Sequence, residues 1–319
     1  MKKVGIIGYN KGNGHPFSFS AIINNYNKRS FAKLGWDVIL KYLNKRRKKE
    51  FGIKGLKVTH VYMPQKKMAN ALAEACYIEN VCNKYSDMIK EVDAVIIARD
   101  DYKSHHKIAI PFLKANKYVF IDKPLTLNVK ELDNFYPYIK SAKLMSCAAY
   151  KYADELNYIK KEFKNEDEVK NISLITLKPW DKYGIHVIDA LFEVTKLKTV
   201  SVRYKKFYDD FYFLKLENGA IVTICCTKKY LHPTFIFSII SEKKNLQIKI
   251  NDNFSAFKKT LNLFSKMIND KIQATDISDI KNSMYTLIAG NLSKKFNKEI
   301  TINKDLEKYY VNKKTKDTK

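Results

Sequence analysis

A glycine-rich segment directly follows the first apolar run of the chain, KVGII at residues 3–7. Its candidate phosphate-binding residues are Gly8, Asn10, Gly12, Asn13, Gly14 and His15. A glycine-rich turn between a strand and a helix lets backbone N–H groups and the helix N-terminus approach a pyrophosphate. The regular fingerprint has glycine where this chain has Asn10 and Asn13, but asparagine tolerates left-handed backbone. The position predicts phosphate binding, although a plain tight turn also fits these residues.

A lysine between an acid and a proline follows a later apolar run. The segment Ile121-Asp122-Lys123-Pro124 ends the run KYVFI at 117–121. In open α/β sheets the carboxyl end of a strand faces the ligand crevice. An ammonium at that position hydrogen-bonds a carbonyl or carbinol oxygen and stabilises developing negative charge. Taken alone, the tripeptide also fits an ordinary exposed turn.

His186 is the candidate for proton transfer. It lies in the segment Gly184-Ile185-His186-Val187-Ile188-Asp189, at the start of a predicted helix, with Asp189 one helical turn further on. The unperturbed pKa of imidazole, near ~6.5, suits acid–base catalysis at neutral pH. A helix-start histidine that binds a backbone group is the alternative.

The first 150 residues alternate strand-like and helical segments. Strands are predicted at 3–7, 56–63, 92–98, 117–121 and 143–149, and helices at 67–75, 105–116 and 128–142. This alternation predicts a parallel, doubly wound sheet whose strands are covered on both faces. The interval from residue 8 to 55 exceeds an ordinary crossover by about one helix, and it contains the basic run NKRRKK at 44–49.

Strand-like segments follow one another in the second half of the chain. Strands are predicted at 171–178, 198–207, 210–217, 220–227, 234–241 and 245–251, and helices at 154–163, 184–195, 253–270 and 278–296. Asn218-Gly219 predicts a hairpin between two of the strands. We therefore predict an α/β plus α+β protein. A doubly wound Rossmann domain spans residues 1–150, and a domain with a predominantly antiparallel open sheet spans residues 151–319.

These segments together resemble the Gfo/Idh/MocA family, which includes glucose–fructose oxidoreductase and inositol dehydrogenase. His105 lies 18 residues before Lys123, and the stretch from Ala115 to Pro124, ANKYVFIDKP, is similar to the family pattern AGKHVxxEKP. The segment from Gly184 to Asp189 is similar to the family pattern GxHxxD. The resemblance covers nearly the whole chain, including the antiparallel second domain and the closing helices.

The resemblance implies an NAD(P)-dependent oxidoreductase acting on the CH–OH group of a sugar, polyol or nucleotide sugar. Lys123 would hold the substrate oxygen and His186 would move its proton. The family commonly has an aspartate four residues before the histidine, where this chain has Lys182, so Asp181 or Tyr183 is expected to assist His186. The expected cofactor-binding residues are Gly8, Asn10, Gly12, Asn13, Gly14, His15, Arg99, His105, Lys123 and Pro124. No metal site is predicted.

Other departures from the family pattern concern the cofactor and the substrate. No acid follows the second strand at 62–67, and Lys66 and Lys67 favour the 2′-phosphate of NADPH over NADH. Arg99 is expected to touch a cofactor phosphate or to pair with a neighbouring aspartate. Tyr150-Lys151 replaces an arginine pair that is frequent in the family. A catalytically impaired NAD(P)-binding protein with a binding or regulatory role is therefore the alternative function.

The composition adds weaker constraints. The chain has 319 residues with 59 Lys and Arg against 33 Asp and Glu, a formal net charge of +26. This charge would attract nucleic acid, with residues 44–49 as the candidate surface. Only five of these cations are arginine, so an AT-rich genome explains the excess better and no nucleic-acid partner is expected.

The remaining features concern location and assembly. The sequence has no apolar run long enough for a membrane span and five scattered cysteines without a CxxC pair. We therefore expect a cytoplasmic protein without a membrane partner. The resemblance further implies a homo-oligomer, a dimer or tetramer.

Overall fold

The computed structural model describes residues 1–163, 169–228, 235–241, 244–304 and 306. The described chain forms two compact units. The first contains Met1–Ala149 and Asp252–Ile277, and the second contains residues from 150–251 and from 278 onward. The segment Asp252–Ile277, which the predicted boundary at residue 150 places in the second domain, thus packs in the first unit. The basic tail at 311–319 lies outside the described residues.

The strands are numbered in chain order: β1 (Lys2–Ile7), β2 (Leu56–Tyr62), β3 (Asn80–Val81), β4 (Ala94–Ile97), β5 (Tyr118–Ile121), β6 (Leu144–Ser146), β7 (Val169–Leu177), β8 (Thr199–Lys206), β9 (Asp210–Leu216), β10 (Ile221–Thr227), β11 (Ile236–Ser241), β12 (Asn245–Lys249) and β13 (Ile300–Thr301). The helices are α1 (His15–Asn24), α2 (Lys28–Ala32), α3 (Asp37–Leu43), α4 (Lys66–Ala75), α5 (His105–Lys114), α6 (Val129–Lys140), α7 (Leu156–Glu162), α8 (Trp180–Thr195), α9 (Asn253–Asn269) and α10 (Ile277–Phe296). None of these helices is long and apolar enough to cross a membrane.

The sheet of the first unit is parallel, with the strand order β3-β2-β1-β4-β5-β6. This order confirms the predicted doubly wound fold. Every residue of β4 is buried, as the continuous apolar run requires when helices cover both faces of a sheet. The short strand β3 was not predicted from the sequence because its two residues carry no periodicity.

The long interval before β2 holds the two short helices α2 and α3. The basic run after α3 is partly used within the first unit. Arg46 Nη2 lies 2.5 Å from Asp252 Oδ1, and its guanidinium lies over the Phe254 ring at 4.9 Å. Arg47 Nε lies 3.4 Å from Glu50 Oε2. The two Arg46 contacts join the interval to the start of α9, which packs in the first unit.

The sheet of the second unit has the strand order β12-β11-β7-β10-β9-β8-β13. All neighbouring pairs are antiparallel except β7 and β10, which are parallel. The sheet is therefore predominantly antiparallel, as predicted. Gly219 has a φ of +86° in the turn between β9 and β10, which confirms the hairpin and explains its glycine.

Helix α8 begins at Trp180, four residues before the predicted start at Gly184. The reason is tertiary packing. The Trp180 indole stacks on Tyr212 with a centroid distance of 3.9 Å, and its Nε1 donates to the Leu287 carbonyl of α10 at 3.0 Å. Burial of this large ring fixes the first turn of the helix, whereas the sequence pattern showed only a run of mixed polarity there.

Candidate functional site

The predicted cofactor-binding residues lie at the carboxyl ends of three neighbouring strands in the first unit. Gly8 follows β1, Arg99 comes shortly after β4, and Asp122 follows β5. Because β4 pairs with both β1 and β5, these strand ends adjoin one another. This edge is where open α/β sheets bind ligands.

Three glycines shape the loop after β1 for two different reasons. A Cβ on Gly8 would lie 2.9 Å from Pro16, and a Cβ on Gly14 would lie 2.5 Å from Ile39 in α3, so both positions exclude a side chain sterically. Gly12 has a φ of +84° and nothing within 4 Å of its Cβ position. Its backbone conformation, with open space beside it, favours glycine.

Asn10 joins the loop to the end of β4. Its Nδ2 donates to Asp100 Oδ1 at 2.5 Å, and its Oδ1 accepts from the Asp100 backbone N–H at 3.2 Å. The asparagine that replaces a fingerprint glycine at this position therefore makes a two-point contact between strand ends. In the sequence, Asn10 was interpreted only as a replacement for the fingerprint glycine, and this contact was not predicted.

Asp122 connects the glycine-rich loop to the candidate lysine. The residue is 2% exposed, and its Oδ1 accepts the Lys123 backbone N–H at 2.9 Å. Its Oδ2 lies 2.5 Å from His15 Nδ1 and 3.4 Å from Asn13 Nδ2. A buried carboxylate needs such donors, because losing water without them costs several kcal/mol, about 2–7 for a neutral polar group and more for a charge.

His105 holds the other side of the lysine segment. It is fully buried, with Nδ1 3.0 Å from the Leu125 carbonyl and Nε2 3.0 Å from the Arg99 carbonyl. The ring thus joins the loop after β4 to the loop after β5. Burial lowers the pKa of His105 below its usual value, although both carbonyls oppose this shift. The spacing between His105 and Lys123 in the sequence therefore has a structural explanation.

Arg99 pairs with Asp101 in two parallel hydrogen bonds of 2.8 and 2.7 Å. Its Nη1 also lies 3.4 Å from the Tyr9 carbonyl. Burial raises the pKa of Asp101, but the Arg99 hydrogen bonds and charge outweigh it and hold the pKa below its usual value. Of the roles expected for Arg99, the structure thus supports pairing with a neighbouring aspartate.

Backbone N–H groups of the loop after β1 could bind a dinucleotide phosphate, but some of them are already used. Asn13 Oδ1 already accepts the His15 N–H at 2.7 Å, and Pro16 has no N–H. The N–H groups of Gly12 and Gly14 make no hydrogen bond within the described residues. Gly14 is the N-cap of the ten-residue helix α1 and Gly12 lies two residues before it, so both N–H groups are available to hold a phosphate there.

The loop after β2 contains no acid in the structure either. Lys66 Nζ donates to Asn83 Oδ1 at 2.7 Å, and Lys67 is exposed. Lys66 is therefore partly used in a contact within the first unit. The preference for NADPH stays a prediction.

In the second unit, His186 lies in the second turn of α8 among three aromatic rings. Its ring centroid is 5.0 Å from Tyr150, 5.4 Å from Phe235 and 6.0 Å from Tyr183. The imidazole is 7% exposed. Sequence reasoning did not find Phe235, because no motif marks it, and it noticed Tyr150 only as a departure from the family pattern.

The structure separates the two candidates that were expected to assist His186. Tyr183 lies one helical turn before His186, and their rings adjoin with an interplanar angle of 28°. Asp181 is five residues before His186, a spacing that places two side chains on different sides of a helix. Burial is the main reason that the pKa of Tyr212 is raised, and the Asp181 charge contributes to that shift. Tyr183 is thus the candidate that the helix places against the imidazole.

Asp189, the other residue of the histidine motif, contacts α10. Its Oδ1 accepts from the Ser283 hydroxyl at 2.6 Å.

Lys151 belongs to a cluster of ion pairs in the same unit. Its Nζ lies 2.6 Å from Asp279 and 3.7 Å from Glu193, and Glu193 also binds Lys160 at 2.5 Å. Burial lowers the pKa of Lys151, but these carboxylates raise it above its usual value overall.

Residues 2–150 match the sequence model of a family described as an oxidoreductase family with an NAD-binding Rossmann fold. No curated protein sequence matches the chain. Two similar solved structures are apo scyllo-inositol dehydrogenase from Lactobacillus casei, at 15% identity, and myo-inositol 2-dehydrogenase from Lactobacillus plantarum, at 16%. Both give a TM-score of 0.76 and cover 95% of this chain, and 98% and 99% of their own chains respectively.

A third similar structure is myo-inositol dehydrogenase from Lactobacillus casei in complex with NAD(H) and myo-inositol. It has 13% identity and a TM-score of 0.75, and the match covers 95% of this chain and 97% of that one. At such low identity these structures establish the fold alone. Residues 2–150 are thus similar to the Gfo/Idh/MocA oxidoreductase family, whose model describes an NAD-binding Rossmann fold.

Proposed function

We propose that the protein is an NAD(P)-dependent dehydrogenase or reductase that acts on a carbinol or carbonyl carbon of a sugar, polyol or nucleotide sugar. The observation that carries this proposal is the position of Asp122. Its carboxylate contacts both the glycine-rich loop and the Lys123 backbone, so the lysine segment is attached to the loop that would hold the cofactor phosphates. A turn lysine with no function needs no such attachment.

Lys123 and His186 have separate roles in the proposed reaction. When bound, the nicotinamide supplies or accepts the hydride. The Lys123 ammonium donates a hydrogen bond to the substrate oxygen and stabilises its developing negative charge. His186 takes the proton from the substrate hydroxyl in oxidation, or returns it in reduction. Tyr183, beside the imidazole, helps to orient the ring.

The similar structures support a polyol or a related sugar as the substrate class. One of them is described as a complex with NAD(H) and myo-inositol, and another as a complex with NAD(H) and scyllo-inositol. Because their identity to this chain is 13% and 15%, we extend to this chain only the substrate class and not the particular polyol.

The proposal is tested by titrating NADH and NADPH while following their fluorescence, and then by screening sugars, polyols and nucleotide sugars for a change in nicotinamide absorbance. Lys123→Met should bind the cofactor normally but lose about 10²–10³-fold in turnover. Lys114→Met, at the exposed end of α5, is the matched control and should keep full activity. Equal turnover in both variants would exclude the catalytic role of Lys123.

The alternative is a cofactor-binding protein of the same fold without turnover. Lys182 at the usual acid position favours it, and the Lys182 ammonium lies 5.7 Å from the Tyr183 ring centre. Tight NAD(P)H binding combined with no turnover on the whole panel would support this alternative over the enzyme.

We also propose that the chain self-associates through the outer face of its second sheet. Cross-strand pairing places Phe211, Cys225, Ile175 and Ile236 in one row across four strands, with Lys205 and Lys249 at the two ends. Such a continuous apolar row marks an interaction surface. Light scattering should give a dimer or tetramer for the native chain and smaller species for Ile175→Lys. A monomeric native chain would contradict self-association.

A further inference from the structure

The Asp122 carboxylate connects two motifs, its own segment and the glycine-rich loop, whose His15 lies 107 residues earlier in the sequence. One of its oxygens faces His15 Nδ1 and Asn13 Nδ2, and the other accepts the Lys123 N–H. A carboxylate is rigid and planar, so a change at one oxygen reorients the other. The bond to Lys123 therefore depends on the donors that the glycine-rich loop provides.

The His15 ring is itself fixed by packing. It lies 5.4 Å from the Phe19 ring and 5.1 Å from the Phe257 ring, which limits its rotation and keeps Nδ1 directed at Asp122. His15 is also the first residue of α1, directly after the Gly14 N–H that would contact a phosphate. A ligand that orders this loop would thus also order His15.

The lysine segment is also held by a second histidine. On its far side, His105 holds the Leu125 carbonyl, so the segment 122–125 is fixed at both ends by a histidine. The His105 contact joins two strand-end loops, whereas the His15 contact joins the segment to the phosphate loop. The His15 contact therefore connects the lysine segment with the loop that would hold a nucleotide phosphate.

We propose that His15 is a positioning residue for Lys123. It acts through Asp122, so that a phosphate group on the glycine-rich loop and the placement of the Lys123 backbone are coupled. The inference rests on the proposed function for the identity of the ligand, a nicotinamide dinucleotide. The contact between His15, Asp122 and Lys123 stands independently of that function.

The test compares two variants of His15 in the full chain. In His15→Asn the side-chain amide keeps a donor close to the Nδ1 position, and in His15→Phe the ring still packs between Phe19 and Phe257 but has no donor. Amide hydrogen exchange of the segment 121–126, read at Lys123, reports the bond to Asp122. We expect exchange about tenfold faster in His15→Phe than in the native chain, and near-native exchange in His15→Asn.

The pattern across the variants decides between positioning and packing. Native exchange in His15→Phe, or equal acceleration in both variants, would overturn the positioning role, because only the donor separates them. Unfolding midpoints measured in parallel identify any general loss of stability, which would accelerate exchange throughout the first unit and not only at 121–126.

Added NADH tests the coupling. It should slow exchange at 121–126 in the native chain and in His15→Asn, and should bind His15→Phe without slowing it. NADH binding to the native chain without any change at 121–126 would overturn the coupling. If NADH binds to none of the proteins, the proposed function fails, while the exchange measured without nucleotide still decides the role of His15.

Discussion

Lys123 and His186 are held by two different kinds of interaction. The segment around Lys123 is fixed by hydrogen bonds, with Asp122 on one side and His105 on the other. His186 lies in a helix among the rings of Tyr150, Tyr183 and Phe235. Hydrogen-bonded segments depend on single donors and on pH, whereas ring packing depends on shape and volume. The two regions should therefore respond differently to substitution.

The largest effect is expected at the ring-packed residue itself. His186→Asn removes the group proposed to move the proton and should lower turnover by about 10²–10⁴-fold without weakening NADH binding. Steady-state rates and NADH fluorescence check both parts. His106→Asn, on α5 of the first unit, is the control and should keep its activity. Undiminished turnover in His186→Asn would limit the histidine to a packing role.

The packing beneath His186 is tested at Gly290 of α10. A Cβ at this position would lie 2.4 Å from Trp180 Nε1, and the indole cannot retreat because it stacks on Tyr212. Gly290→Ala should therefore destabilise the protein by about 1–3 kcal/mol in urea unfolding. Asn291→Ala, the next residue of the same helix, should cost much less. A native stability for Gly290→Ala would mean that the indole shifts freely.

A smaller effect separates the two neighbours of His186. Because the Tyr183 ring adjoins the imidazole and Asp181 lies five residues before it, Tyr183→Leu, which removes the ring, should lower turnover about tenfold and Asp181→Asn should change it little. Turnover rates of the two variants on the same substrate show which of the two residues assists His186. The reverse order would assign the missing family aspartate to Asp181.

The smallest effect is a pH dependence in the hydrogen-bonded region. Burial lowers the pKa of His105, so the unfolded chain takes up a proton near pH 6.5 more readily than the folded one. The stability contributed by neutral His105 is present above pH 6.5 and is lost as the pH falls below it, by up to about 1.4 kcal/mol per pH unit.

Urea midpoints at pH 7.5 and 5.5 should therefore differ less in His105→Gln than in the native chain. His60, whose pKa burial also lowers, would supply part of the remaining difference. An unchanged pH dependence in His105→Gln would show that His105 does not titrate in this range.

Much of the fold was predictable because its signals are local. The apolar run of β4 and the Asn218-Gly219 turn depend on residues that are adjacent in sequence, and both predictions are confirmed. The parallel pairing of β7 with β10 could not be predicted, because it joins segments separated by two other strands of the sheet. The packing of α9 in the first unit likewise depends on long-range contacts such as that between Arg46 and Asp252.

The candidate site also has features that the sequence predicted and features that it did not. Motif positions identified His105, Lys123 and His186, but not what holds them. The contacts of Phe235 with His186 and of Asn10 with Asp100 carry no sequence signal, because each joins residues far apart in the chain. The sequence left Tyr183 and Asp181 as alternatives, and the helix α8 distinguishes them. A spacing of three residues places two side chains on the same face of a helix, whereas a spacing of five residues does not.

The amino-acid sequence was enough to predict the alternation of strands and helices, the hairpin, and the resemblance of residues 2–150 to an oxidoreductase family. These follow from periodicity and from short motifs, which act within a few residues. Tertiary structure alone decided that Asp122 joins the glycine-rich loop to Lys123, that His105 connects two strand ends, and that three rings surround His186. Such contacts form when the sheet and its packed helices bring distant residues together. Burial then makes each hydrogen bond and ring contact contribute to the stability of the site.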